Sequence, residues 1–221
     1  MNSPARNIDH TLLKPEATAD QIRMLCEEAV EFGFAAVCIP PAYVSLAANR
    51  LYGSEVAVAT VVGFPLGYDC PETKAYAASR AAAAGAAEID MVIHLGAALA
   101  GDLDRVEGEI RKVVEAAPEG RVKVILECCR LTDPLKVSLT ERVVRAGAAY
   151  VKTSTGFGSG GATLDDVRLL AGTAAGRIGV KAAGGIRSWE ECRAFLEAGA
   201  TRIGTRSGAA ILEQWRRAEG V

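Results

Sequence analysis

The chain has 221 residues, half of them hydrophobic and only 5% aromatic, with a formal net charge of −2 at pH 7. That length suits one sizeable core, and an α/β barrel of roughly 200 to 250 residues is ordinary as a single domain. The near-neutral charge gives no electrostatic footprint for nucleic acid or an anionic membrane, and no apolar run reaches the ~18 residues that a membrane span requires.

The six cysteines, Cys26, Cys38, Cys70, Cys128, Cys129 and Cys192, show neither a CxxC pair nor metal-ligand spacing. The adjacent pair Cys128-Cys129 has poor geometry for a disulfide. Only two histidines occur, His10 and His94, so a histidine-based zinc site has no support. With no signal peptide at the N-terminus, we expect a reducing, cytoplasmic setting with free thiols.

Taken in order, the elements alternate. Ile8–Leu13 is a short strand candidate. Thr18 and Gln21 form a capping box, and Ile22, Leu25, Cys26 and Ala29 mark the buried face of the helix that ends at Gly33. Ala35–Ile39 is the next strand, and Pro40-Pro41 opens a short helix to about Arg50. Val56–Val62 is a continuous apolar run, as in a parallel strand covered on both faces. It is followed by the turn Gly63-Phe64-Pro65-Leu66-Gly67 and a helix from Pro71 to Ala84. Glu88–Ile93 is a strand carrying Asp90 within an apolar frame. A helical stretch broken near Gly101 leads to the strand Val122–Glu127. Thr132 starts a helix that stops at Gly147, Tyr150–Lys152 is a strand, and Thr163 with Asp166 begins the next helix. Ile178–Ala183 is a strand, and Ser188 with Glu191 is a second capping box. Thr201–Thr205 is the last strand, before a helix from about Ser207 to Arg217. Strict alternation implies a parallel sheet. Eight such units without a linker predict one closed (β/α)8 barrel over residues 1–221, with its site at the C-terminal strand ends. A doubly wound open sheet is the weaker reading, because no G-x-G-x-x-G follows the first strand.

Two lysines stand out. Lys152 and Lys181 each follow apolar strand residues and precede a glycine-containing turn, at what read as strand C-termini. One lysine in such a place is ordinarily a surface residue. Two on neighbouring strands converge, and like charge with desolvation lowers a lysine pKa towards a nucleophilic amine fit for Schiff-base chemistry. Asp90 reads either as a structural partner of a barrel lysine or as a proton relay beside Lys181. Asp9 reads as a substrate hydrogen-bond partner or as a tie for the first strand, and Cys38 as a core residue or a pocket liner. Lys123 and Glu127 share the fifth strand and fit an internal polar network. The turns Gly184-Gly185 and Gly204-Thr205-Arg206-Ser207-Gly208 follow the seventh and eighth strands. A barrel often holds phosphate there, on backbone N–H groups at a helix start. Thr205, Ser207, Arg206 and Arg187 could add hydroxyls and charge, although glycine also marks ordinary turns.

The segments Asp9–Pro15, Val62–Gly67, Glu88–Ile93, Val151–Phe157 and Val180–Arg187 resemble the deoxyribose-phosphate aldolase family. The likeness runs from Ile8 to about Gly208, and the two lysine motifs carry most of it. The resemblance implies a class I aldolase without metal or other cofactor. Such an enzyme cleaves 2-deoxy-D-ribose 5-phosphate reversibly to D-glyceraldehyde 3-phosphate and acetaldehyde, in deoxyribose phosphate catabolism. It also implies that Lys152 forms the Schiff base and that Lys181 and Asp90 transfer protons. Substrate contacts are expected from Asp9, Cys38, Thr153, Gly156, Gly184, Gly185, Gly204, Thr205, Arg206 and Ser207. A homodimer and a small phosphosugar partner are implied too. Two residues depart from the family pattern: Arg206 replaces a small hydroxyl residue, and Arg130 stands where an apolar residue is usual. Another Schiff-base aldolase acting on a keto acid or ketose phosphate, and a non-catalytic phosphosugar-binding barrel, are the competing readings.

Overall fold

A computed structural model describes residues 3–220, so Met1, Asn2 and Val221 of the expected domain lie outside the described residues. Eight parallel strands close into a barrel in sequence order: β1 (Ile8–Thr11), β2 (Ala36–Ile39), β3 (Ala57–Val62), β4 (Glu88–Val92), β5 (Arg121–Ile125), β6 (Tyr150–Lys152), β7 (Gly179–Ala183) and β8 (Arg202–Thr205). β8 pairs with β1, so no strand edge is left open.

The helices alternate with the strands. They are α1 (Ala19–Phe32), α2 (Val44–Arg50), α3 (Pro71–Ala83), α4 (Leu95–Leu99), α5 (Leu103–Ala116), α6 (Asp133–Arg145), α7 (Leu164–Ala174), α8 (Trp189–Glu197) and α9 (Gly208–Glu219). Local chemistry sets their limits. Both capping boxes form, at Thr18/Gln21 and at Ser188/Glu191. Gly33 ends α1 in the left-handed region at φ 68°. Pro40 does not open α2 directly: a 3-10 turn over Pro41–Tyr43 comes first.

Period-two alternation sorts the strand residues onto two faces. Outward residues such as Ile8, Val37, Val58, Ile89, Met91, Val124, Val151, Val180 and Ile203 join the apolar core beneath the helices. The inward residues are different. On β2 and β3 they are small and apolar, Ala36, Cys38, Ala59 and Val61. On the remaining strands they are largely charged. The β2–β3 side of the lumen is therefore lined by small apolar side chains, which leaves room for the long polar side chains of the other strands.

Two expectations need correction. Lys181 is the third of five residues of β7, not its end, and is paired in register with Lys152. Glu127 lies beyond β5, at φ 58°, and does not share the strand of Lys123.

Candidate active site

The polar side of the lumen is one continuous ion ladder. Lys123 on β5 lies 2.8 Å from Asp9, 2.6 Å from Glu88 and 3.1 Å from Asp90. Lys181 donates to Asp9 Oδ2 at 2.5 Å and to Asp90 Oδ2 at 2.7 Å. Lys152 donates to the same Asp90 oxygen at 2.6 Å. Arg202 on β8 bridges Asp9 and Glu88 from below. All seven side chains are buried.

Their proton affinities diverge. Burial acts to raise Asp90, but Lys123, Lys152 and Lys181 outweigh it and hold the carboxyl well below its usual range. Asp9 is depressed likewise, by Lys123, Lys181 and Arg202 against its own burial. Burial acts to lower Lys181 and Lys123, yet the surrounding carboxylates keep both raised. Lys152 alone among the ladder lysines is lowered, chiefly by burial, with the Lys181 charge adding to it and Asp90 opposing. The short Lys152–Asp90 contact favours the ammonium form. Its effect is limited because three lysines share that carboxylate, and a neutral amine can donate to it in the same geometry.

Above the ladder opens a cavity of about 330 Å³. Lys152 is the ladder member that lines it. The walls are Thr11, Leu12, Leu13 and Lys14 after β1, Thr155, Gly156 and Phe157 after β6, Ala183 to Arg187 after β7, and Gly204, Thr205 and Arg206 at β8. Gly184 and Gly185 line the cavity with φ of 93° and 91°, a backbone conformation that favours glycine. Gly161 packs behind them so tightly that a Cβ there would meet the Gly184 carbonyl oxygen at 2.2 Å. The cavity wall, with Arg187, Arg206 and Lys14 among its residues, suits an anion. A second hollow of about 520 Å³ lies behind the Gly184-Gly185 turn; Glu190 and Glu191 line it and no lysine does.

Lys152, Gly156, Gly184, Gly185, Gly204, Thr205 and Arg206 thus meet at one cavity. Asp90 and Lys181 lie directly beneath, within reach of Lys152. Asp9 is spent on three cations at the base of the ladder. Cys38 is buried against Ala36, Ala59 and Val61, and burial raises its thiol. The Thr153 hydroxyl donates to Ala183 O and accepts from Ala183 N, both at 3.2 Å, and so pins β6 to β7. Ser207 is outside the cavity wall, and its N–H donates to Thr205 Oγ1 at 2.9 Å. Sequence reasoning missed Glu88 and Arg202 in the ladder. For Glu88 the signal is period two, since it shares a face of β4 with Asp90; Arg202 gives none along the chain, because only barrel closure sets β8 against β1. It also missed the role of Glu127, whose carboxylate accepts from the Thr155 hydroxyl and N–H and holds the turn beside Lys152. Among the described residues, no cluster of three or more His, Cys, Asp or Glu is grouped to hold a metal ion.

Comparison with known proteins gives the family. The profile of the DeoC/LacD family aldolases matches residues 5–215. The deoxyribose-phosphate aldolase of Syntrophotalea carbinolica is 57% identical over 218 residues, covering 99% of each chain. That of Deinococcus radiodurans is 56% identical over 210 residues, covering 95% of this chain and 96% of its own. The tetrameric deoxyribose phosphate aldolase of Aeropyrum pernix superposes with a TM-score of 0.92 at 37% identity, covering 99% of this chain and 94% of that one. With a lysine-lined barrel mouth and likeness along almost its whole length, the chain belongs to the DeoC/LacD family of aldolases.

Proposed function

We propose that this aldolase cleaves 2-deoxy-D-ribose 5-phosphate reversibly to D-glyceraldehyde 3-phosphate and acetaldehyde through a Schiff base on Lys152. The observation that carries the reading is the contrast between two neighbouring lysines. Lys152 opens to the cavity and is pushed towards the free amine, while Lys181 beside it is held as the ammonium. The names of the relatives support the substrate.

The steps follow from those charges. Neutral Lys152 Nζ adds to the C1 aldehyde, and loss of water gives a protonated imine that serves as the electron sink. The C3 hydroxyl loses its proton, C3 becomes a carbonyl, and the C2–C3 bond breaks with its electrons passing into an enamine. The enamine C2 is then protonated, and water hydrolyses the imine to release acetaldehyde and restore the amine. Asp90 is the anionic acceptor and Lys181 the cationic donor. Their 2.7 Å contact lets the proton pass from one to the other and reset the pair. Such proton transfer is worth about 10²–10⁴-fold. The phosphate takes the end lined by Gly156, Gly184, Gly185, Gly204, Thr205 and Arg206. We read Asp9, Cys38 and Thr153 as supports of the barrel wall and lumen, and Ser207 as part of the turn that opens α9. We also propose that residues 1–221 act as one domain, in the cytoplasm and as a homodimer; none of the helices among the described residues is long and apolar enough to cross a membrane.

Borohydride trapping with acetaldehyde, followed by peptide mass spectrometry, tests the core of this reading. An ethyl adduct on Lys152, absent from a folded Lys152→Ala variant that has lost turnover, is the expected result. An adduct elsewhere, near-normal turnover by that variant, or labelling only by pyruvate or dihydroxyacetone phosphate would count against it.

A further inference from the structure

The ion ladder continues well below the substrate cavity. Glu88 and Arg202 open β4 and β8 at the bottom of the barrel, and both are buried. Arg202 donates to Glu88 Oε2 at 2.8 Å and Oε1 at 3.2 Å, and to Asp9 Oδ1. From β6, the Tyr150 hydroxyl stands 3.4 Å away, and the Tyr150 ring lies 5.3 Å from the guanidinium carbon. Lys181 on β7 is the register partner of Arg202. Glu88 also pairs with Lys123 at 2.6 Å, and the exposed Arg121 approaches it at 3.8 Å. Asp9 and Asp90 carry the chain of contacts upward to Lys181 and Lys152. Around Lys152 itself stand Asp90 from β4, Lys181 from β7 and the Cys38 thiol from β2.

Four cations, Lys123, Lys152, Lys181 and Arg202, thus share the lumen with three carboxylates, Asp9, Glu88 and Asp90. A buried lumen disfavours an uncompensated unit charge. The surplus proton has one place to leave from. Arginine does not release one. Lys123 touches three carboxylates and Lys181 two. Lys152 touches only Asp90, which it shares. We propose that Arg202 and Glu88 are positioning residues for the lysine chemistry: by fixing the net charge at the closed end of the lumen, they set the fraction of Lys152 present as free amine. The inference rests on Lys152 being the imine-forming residue.

The test is the pH dependence of acetaldehyde–borohydride labelling at Lys152. Arg202→Gln removes a cation, so Lys152 keeps its proton to higher pH. The pH of half-maximal labelling then rises, on the order of one unit for the loss of one nearby buried charge. Glu88→Gln removes an anion and moves it down by a similar amount. The double variant Arg202→Gln/Glu88→Gln balances the two losses and returns it to the parent value, and Arg202→Lys leaves it there. A role in folding alone would lower labelling at every pH without moving its midpoint. Midpoints that stay fixed in both single variants, or that shift in the same direction, overturn the proposal. Should one single variant fail to fold, the other and the double variant still carry opposite expectations: a shift, and none. Should all three fail, a displaced midpoint in Arg202→Lys overturns it. The two readings fail separately. No adduct in the parent protein removes the role of Lys152, whereas an adduct whose midpoint ignores both charges removes only this inference.

Discussion

Lys152 and Lys181 face each other across one register position, yet their surroundings push them in opposite directions. The difference lies in the number of carboxylates each can reach. Replacing Lys181 by leucine removes a cation next to Lys152 and half of the proton relay. We expect turnover to fall about 10²–10⁴-fold, with the acid limb of the pH–rate profile moving to higher pH because Lys152 then holds its proton longer. An unmoved limb would disconnect the two lysines. Arg206 belongs at the same scale. It stands exposed on the cavity rim next to the turn that opens α9. Arg206→Ser should lower kcat/KM for deoxyribose 5-phosphate on the order of tenfold, the loss of one charge-assisted hydrogen bond, and leave unphosphorylated deoxyribose little changed. Equal losses on both sugars would take Arg206 out of the phosphate site.

Between elements, a second buried pair fixes the outside of the barrel to α3 and α5. Lys74 on α3 donates to Glu109 on α5 at 2.8 Å and to the Val92 carbonyl at 2.9 Å, and the other Glu109 oxygen accepts from His94 N at 2.6 Å. Lys74→Met would strand the Glu109 carboxylate without its cation. We expect a cost of about 3–5 kcal/mol, read as a lowered urea midpoint; a midpoint within error of the parent would show the pair to be dispensable. Neither Lys74 nor Glu109 was readable as a buried residue, because each lies in a helix whose pattern gives charged positions to solvent. By contrast, the strand–helix order, both capping boxes and the glycine stops were legible, since each follows from chemistry within a few neighbouring residues. Lys152, Lys181 and Asp90 were legible because charge interrupts an apolar strand. Glu88 and Arg202 begin their strands, where a charge looks like a loop residue. Only closure of the sheet brings them to Asp9 and Lys123. Glu127 was misplaced because nothing in a glutamate announces a left-handed backbone.

For the molecule as a whole, the ladder links stability to pH. Asp9 and Asp90 have depressed folded-state values, so the stability they contribute is present above the unfolded carboxylate value and is lost as pH falls below about 4. Lys123 and Lys181, both raised, contribute stability that is complete below the unfolded lysine value and is lost only as pH rises through their folded values. Lys152 acts in the opposite sense, since folding favours release of its proton. The expected melting temperature is therefore nearly level from about pH 5 to 8 and falls steeply below about pH 4. A curve that stays level to pH 3 would mean that these carboxylates gain little from their lysines. The shared charge of the lumen also has a consequence for descent. A substitution that changes sign at one rung leaves every other rung out of balance, so single steps are blocked where paired steps are not. The seven ladder residues should then be inherited as a block, changing together or scarcely at all, while the wall formed by Ala36, Cys38, Ala59 and Val61 carries no charge to balance and is constrained only to stay small and apolar.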